Sequence, residues 1–316
     1  MNKRDNVIKL LNGEEYEKIP SGFWIHFNEK INQGTIEDKA QAHLEFAKNC
    51  DLSMVKIMNE NEFRRSEKVQ SSSDWSQIPL WSENDRLFSE QLEISQRTLE
   101  LLDGEYYSLG TVHGLVASLS HSSGLKYSSS LEVLREHAKQ NKTAVLEAIK
   151  NTTENVIHML NTIEKSGVDA IYYAALGGEK DRLTSEFYEE FIAPYDKMIL
   201  DEIKKKPIFL HICKQNIDFN RFKDYPATVV NWAIHETDLS LEDGVALFDN
   251  KIILGGLDDR SGVLVEGNKE EIKKEINKIA SSMKGQRFIL GADCTLPTEI
   301  DYQRIQLAAQ YVRDLK

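Results

Sequence analysis

Cysteine is almost missing from this chain: Cys50, Cys213 and Cys294 are the only three among 316 residues. So small and odd a number excludes the disulfide framework of a small secreted domain, and leaves metal binding or catalysis as uses for a thiol. Long apolar runs are missing too, since no window approaches the ~18 uninterrupted apolar residues of a membrane span. The opening Met1-Asn2-Lys3-Arg4-Asp5 passes into Val7-Ile8-Lys9-Leu10-Leu11, a short helical stretch ending at Gly13. It has no apolar segment of the secretory kind, so a cytoplasmic protein with no membrane partner is expected. Positive charge is scarce: 39 basic residues stand against 51 acidic ones, a formal net charge of −12. That balance offers no electrostatic footprint for nucleic acid. Gly/Pro-rich linkers, repeats and low-complexity tails are also lacking, so residues 1–316 read as one domain.

What is present is an alternation of short β-branched or aromatic runs with longer amphipathic helices, the pattern of a parallel sheet covered by helices. Eight strand candidates occur: Gly22–Phe27, Leu52–Met58, Tyr106–Val112, Ala170–Ala174, Ile208–Ile212, Thr228–Trp232, Ile252–Leu254 and Arg287–Leu290. Eight is the count of a closed (β/α)8 TIM barrel, and the chain length suits one, with an open doubly wound sheet as the alternative. The longest helix pattern runs from Leu131 to Lys165, with apolar residues at three- and four-residue steps. Thr184 and Asn268 stand where caps are expected, Asn268 with Glu271 three residues on. The serine-rich stretch Val69–Asn84, with Trp75, Pro79 and Trp81, has no period and predicts a loop over the barrel mouth or an edge excursion.

The chemistry concentrates at predicted strand ends. His211-Ile212-Cys213 closes the fifth run, and on a strand residues i and i+2 share a face, so the imidazole and the thiol project together into the barrel. Cys294 lies just past the eighth run. Both ends reach the same mouth, where such barrels carry their active sites. Two thiolates and an imidazole make a three-ligand zinc site with an open fourth position, the arrangement of catalytic zinc. Taken singly, each residue is as readily a buried free cysteine or a satisfied core histidine.

Other polar residues ring the same mouth. His26 follows strand one, Asn59 and Glu60 strand two, His113 strand three, and Asn231, His235 and Glu236 strand six, while Asp258 follows strand seven. His235, Glu179 and Asp258 are the candidates for catalytic roles, and His235 and Glu179 also for a fourth zinc ligand. His26, Asn59, His113 and Asn231 are candidates for holding a cofactor or substrate. The pairs Gly177-Gly178 and Gly255-Gly256 fall short of a dinucleotide or phosphate-loop fingerprint.

Several of these motifs, in order, resemble the uroporphyrinogen decarboxylase superfamily. They are Arg4-Asp5-Asn6-Val7 through Ile19-Pro20, Gly167-Val168-Asp169-Ala170-Ile171, Phe191-Ile192-Ala193-Pro194-Tyr195, Asn231-Trp232, Gly255-Gly256-Leu257-Asp258, and Ile289-Leu290-Gly291 with Leu296-Pro297. The true decarboxylases carry an arginine-rich segment after strand one for their acidic tetrapyrrole. Here Trp24–Lys30 holds no arginine, Lys56-Ile57-Met58-Asn59 stands where they place an aspartate, and Cys294 stands where they place a histidine. A cobalamin-linked methyltransferase branch carries H-x-C and a later cysteine as zinc ligands, positions filled here by His211, Cys213 and Cys294. The resemblance therefore implies zinc-dependent transfer of a methyl group between a methylcobalamin-bearing corrinoid protein and a small thiol or pterin acceptor. Uroporphyrinogen decarboxylation and a non-catalytic ligand- or corrinoid-binding role are the alternatives, and a homodimer is compatible with any of them.

Overall fold

The computed structural model describes residues 2–60, 63–249 and 251–315. Eight parallel strands form one sheet: β1 (Ser21–Gly22), β2 (Met54–Ile57), β3 (Tyr107–His113), β4 (Ala170–Ala175), β5 (Ile208–Ile212), β6 (Val229–Trp232), β7 (Ile252–Leu257) and β8 (Phe288–Ala292). They pair in the order β1-β8-β7-β6-β5-β4-β3-β2, with helices between successive strands. The (β/α)8 barrel expected from the alternation is the observed fold. The seam between β1 and β2 closes without a regular ladder: Ser53 N–H donates to the Ser21 carbonyl at 3.2 Å, and Ser21 N–H donates to Ser53 Oγ at 3.1 Å.

Strand alternation divides the apolar residues into two cores. Met54, Tyr107, Leu109, Ala170, Tyr172, Phe209, Val229, Ile252, Leu254 and Ile289 fill the barrel interior. Leu210, Ile212, Val230, Ile253, Leu290 and their neighbours face the helices. Val7 and Leu10 of the first helix, Lys3–Asn12, join the inner cluster and plug the end opposite the mouth. Asn2 caps that helix and Gly13, in the left-handed region, ends it. Arg4 fastens it with a fork onto Asp169, which also accepts from Ser108 N–H at 2.9 Å.

Two expectations need correction, and a third is resolved between its two alternatives. Only Ser21–Gly22 of the first run pairs as strand, with one further bridge from Ile25 to Leu296; the rest of Gly22–Phe27 is buried extended chain whose aromatic content mimics a ladder. The helix expected over Leu131–Lys165 is two, Tyr127–Gln140 and Lys142–Ser166. Asn141 breaks it, leaving helical geometry and capping Ala144 N–H with its side chain, a step that apolar periodicity cannot register. The stretch Val69–Asn84 is an excursion onto the outer helices. Trp75 sits in a short 3-10 turn with its ring buried and its Nε1 donating to His137 Nδ1 at 3.0 Å. Trp81 N–H donates to Asn155 Oδ1 at 2.8 Å. The caps expected at Thr184 and Asn268 are both formed, the second as a reciprocal capping box with Glu271.

Candidate metal centre

His211 faces inward from β5, directly opposite Asn231 of β6 in the ladder. Asn231 spends both amide hydrogens on carbonyls, donating to Leu254 O at 2.9 Å and Ala292 O at 3.1 Å. Its Oδ1 is therefore the acceptor for His211 Nδ1–H, at 2.6 Å. That bond fixes the tautomer and leaves Nε2 with a free lone pair. Nε2 lies 3.4 Å from Cys294 Sγ, which lies 4.0 Å from Cys213 Sγ. All three donor atoms fall within 4.8 Å of one another. A tetrahedral site with bonds of ~2.0–2.3 Å has ligand-to-ligand edges of roughly 3.3–3.8 Å, so this soft N/S/S set fits zinc once its donors draw together by up to about 1 Å.

The backbone on each side explains the convergence. Cys213 N–H continues the β5 ladder onto Ala175 O at 3.2 Å. The chain then turns through Lys214 and Asn216, both at positive φ (87° and 54°). Non-glycine residues held there store about 1–3 kcal/mol each, a cost seen most often at functional sites. On the other side, Asp293 N–H donates to Leu257 O at 2.8 Å, and its Oδ2 accepts from His235 N–H at 2.8 Å. Leu296 N–H donates to Trp24 O at 3.0 Å, so Cys294 is pinned between two anchored residues. The contact between the two thiols holds Cys294 well below the usual thiol range and, with burial, Cys213 well above it.

Other residues expected at the mouth are there, but most are engaged elsewhere. Glu179 is buried and accepts from Tyr127 OH at 2.9 Å, with Arg182 3.7 Å away, so it stands apart from the three-donor cluster. His235 Nδ1 meets Asp293 Oδ2 at 3.0 Å, and that carboxylate raises its pKa. Asp258 anchors its own turn, accepting from Arg260 N–H at 2.8 Å and Ser261 N–H at 3.2 Å. His26 pairs through Nδ1 with Glu60 at 2.8 Å, and Asn59 Nδ2 donates to Thr111 O at 3.2 Å. His113 packs edge-on against His121, and burial pushes its pKa down to about 3, so it is neutral.

Two groups near the cluster are not apparent from sequence pattern. Asp259, not Asp258, feels Cys294: burial first and then that sulfur push its carboxyl up to about 6. Gly256, at the end of β7, has φ 114° and packs so close to the outer helix that a Cβ would approach Ile279 Cγ2 to 2.9 Å. Lys56 is the second. It points into the barrel from β2, 7% exposed, with Nζ 4.7 Å from the centre of the Tyr172 ring and 5.8 Å from Trp24. Burial lowers its pKa to about 8, against the pull of Cys294 and Glu60. A lysine between apolar neighbours in Met54-Val55-Lys56-Ile57 is the one signal of it in the sequence.

Residues 58–315 match the family described as uroporphyrinogen decarboxylase (URO-D). Two curated relatives, both uroporphyrinogen decarboxylases, come from Rickettsia felis (28% identical over 183 residues, 55% of this chain) and Thermodesulfovibrio yellowstonii (25% over 134 residues, 41%). The matched stretches span 49% and 37% of those proteins, so the chain covers half of its relatives' length or less. A methyltransferase from Methanosarcina mazei superposes with a TM-score of 0.80 at 14% identity, over 99% of this chain and 98% of that one. A B12-independent methionine synthase from Shewanella sp. W3-18-1, in complex with selenomethionine, gives 0.58 at 10% identity, over 94% and 92%. At such identities the structural likenesses establish the fold.

Proposed function

The chain belongs to the uroporphyrinogen decarboxylase family, and within that family we propose that it is a zinc-dependent methyltransferase, moving a methyl group between a protein-borne corrinoid and a thiol or pterin acceptor. The observation that carries the reading is the convergence of His211 Nε2, Cys213 Sγ and Cys294 Sγ within 4.8 Å at the barrel mouth. These three residues would hold the metal. When bound, zinc supplies charge that favours the thiolate form of an acceptor sulfur at neutral pH, or orients a pterin as a Lewis acid.

The chain's own residues do the rest. Asn231 holds the His211 ring in the ligating tautomer, and its own hydrogen bonds to two strands keep that ring from turning. Protons held on Cys213 and Cys294 would leave when both sulfurs ligate, so metal uptake would release protons and tighten as pH rises. Asp293 and Leu296, on either side of Cys294 and anchored on Leu257 and Trp24, set where that sulfur stands. Cys213 and Cys294 are only partly buried, which leaves a way in from the mouth for an acceptor and a methyl donor. The structural likeness to the Methanosarcina mazei methyltransferase is consistent with this branch.

Decarboxylation of uroporphyrinogen is the second reading, favoured by the two curated relatives. Against it, Trp24–Lys30 supplies no arginine to a substrate that carries many carboxylates. The deciding assay incubates zinc-loaded protein with methylcobalamin and a panel of thiols and a reduced pterin, alongside uroporphyrinogen. Demethylation of the corrinoid with one acceptor class supports methyl transfer. Turnover of uroporphyrinogen near the ~10 s⁻¹ typical of enzymes supports the second reading instead.

A further inference from the structure

Inside the barrel, one aromatic ring away from the thiol cluster, two hydrogen-bond donors lack a good acceptor. Lys56 Nζ has only the Met58 thioether sulfur, at 3.1 Å, and among the described residues no carboxylate comes within ion-pairing distance of it. The indole N–H of Trp24 is buried and makes no hydrogen bond. The two belong to one layer: Lys56 Nζ stands over both the Tyr172 and Trp24 rings, and those rings meet edge to face at 5.1 Å. Tyr172 in turn stacks on His211, 5.7 Å between centroids and 21° between planes.

Magnitudes argue that this layer is incomplete. Burying an ammonium costs several kcal/mol, while contact with aromatic faces returns roughly 0.5–2 kcal/mol. A thioether is a weak acceptor, and an unmade bond at the indole costs about 1–3 kcal/mol more. Glu60, the nearest carboxylate in electrostatic terms, is held by His26 at 2.8 Å and does not close the gap. One group that would satisfy both donors is an anion entering from the mouth.

We propose that Lys56 Nζ and Trp24 Nε1 form an anion subsite inside the barrel, which takes a carboxylate carried by the methyl acceptor. The acceptor is then a short thiol acid, its carboxylate on Lys56 and Trp24 and its sulfur at the His211–Cys213–Cys294 cluster. The thiol end of this assignment rests on the methyl-transfer reading; the carboxylate end rests on the two unsatisfied donors. Tyr172, lying between the two poles, sets the length of the molecule that bridges them.

The test is calorimetric titration of zinc-loaded protein with 3-mercaptopropionate and with the uncharged 3-mercapto-1-propanol. A charge-assisted bond of about 1.5–3 kcal/mol predicts that wild type binds the acid roughly ten- to a hundredfold more tightly than the alcohol. Lys56→Met should collapse that ratio to near unity through loss of affinity for the acid, while Lys56→Arg should retain most of it. Trp24→Phe, which keeps the ring and removes the N–H, should lose part of it, and circular dichroism of each variant verifies that it is folded. Equal affinities in wild type, a ratio that survives Lys56→Met, or no binding of either thiol would overturn the subsite. A clear acid preference with no methylation of either thiol by methylcobalamin would leave the subsite standing and remove the methyl-transfer reading.

Discussion

His211 and Asn231 stand side by side on adjacent strands, with the imidazole Nδ1–H donating to the amide oxygen across 2.6 Å. A ring held in this way presents one nitrogen, in one orientation, to whatever the two sulfurs bind. Asn231 is thus placed to position the His211 ring. Replacing it with leucine removes the acceptor for His211 and strands the Leu254 and Ala292 carbonyls. Zinc affinity, measured by competition with a chromophoric chelator, should fall about 10- to 100-fold. Unchanged affinity in a folded Asn231→Leu protein would show that the ring needs no such support.

Trp75 tests where the serine-rich excursion lies. Its ring is buried beneath the outer helices and its N–H is spent on His137. Trp75→Ala should cost about 3–5 kcal/mol in denaturant unfolding, as large-to-small changes in a packed core do. Zinc content of the folded variant should equal that of wild type. A loss of zinc with intact stability would return this segment to the mouth.

Asp51 sets part of the acid sensitivity of the fold. At positive φ after the helix Ile36–Asn49, it accepts from Lys3 Nζ at 2.7 Å, Gln310 Nε2 at 3.2 Å and the Arg313 guanidinium, tying both ends of the described chain together. Burial pulls its carboxyl up, but these three donors overcome that and hold it well below the usual range. A depressed carboxylate stabilises the folded state above its unfolded pKa of ~3.9, and the contribution fades as pH falls below that value. Asp51→Asn should therefore lower stability by about 1 kcal/mol at pH 7, after discounting for solvent exposure. The gap from wild type should narrow as pH is lowered from 4 toward 2. A gap that stays constant through that range would mean the ionised form contributes nothing.

The parts of this architecture written in local pattern are legible in the sequence. H-x-C at the end of an apolar run places two donors on one strand face, and eight such runs imply a barrel that brings Cys294 to the same mouth. Asn231 stands out at a strand end, yet its duty to His211 depends on strand register, which no single segment encodes. Asp259 is hidden because its nearness to Cys294 depends on how the loop after β7 packs, which no local pattern encodes. Asn141 interrupts a helix whose apolar spacing runs straight through it. Lys56 is hidden by composition: a lysine suggests a solvated surface, and only tertiary packing turns this one into the barrel.

The metal centre is the central claim, and the zinc content of single-cysteine variants tests it most directly. Cys213 and Cys294 lie in the three-donor cluster, whereas Cys50 is buried at the end of an outer helix, with its thiol pushed up to about 12 by burial. Elemental analysis should be made on protein prepared without chelator, with zinc supplied and excess removed. Wild type and Cys50→Ser should each hold about one zinc per chain, and Cys213→Ser and Cys294→Ser should lose most of it while remaining folded. Zinc absent from wild type, or retained equally in all three variants, would contradict the account.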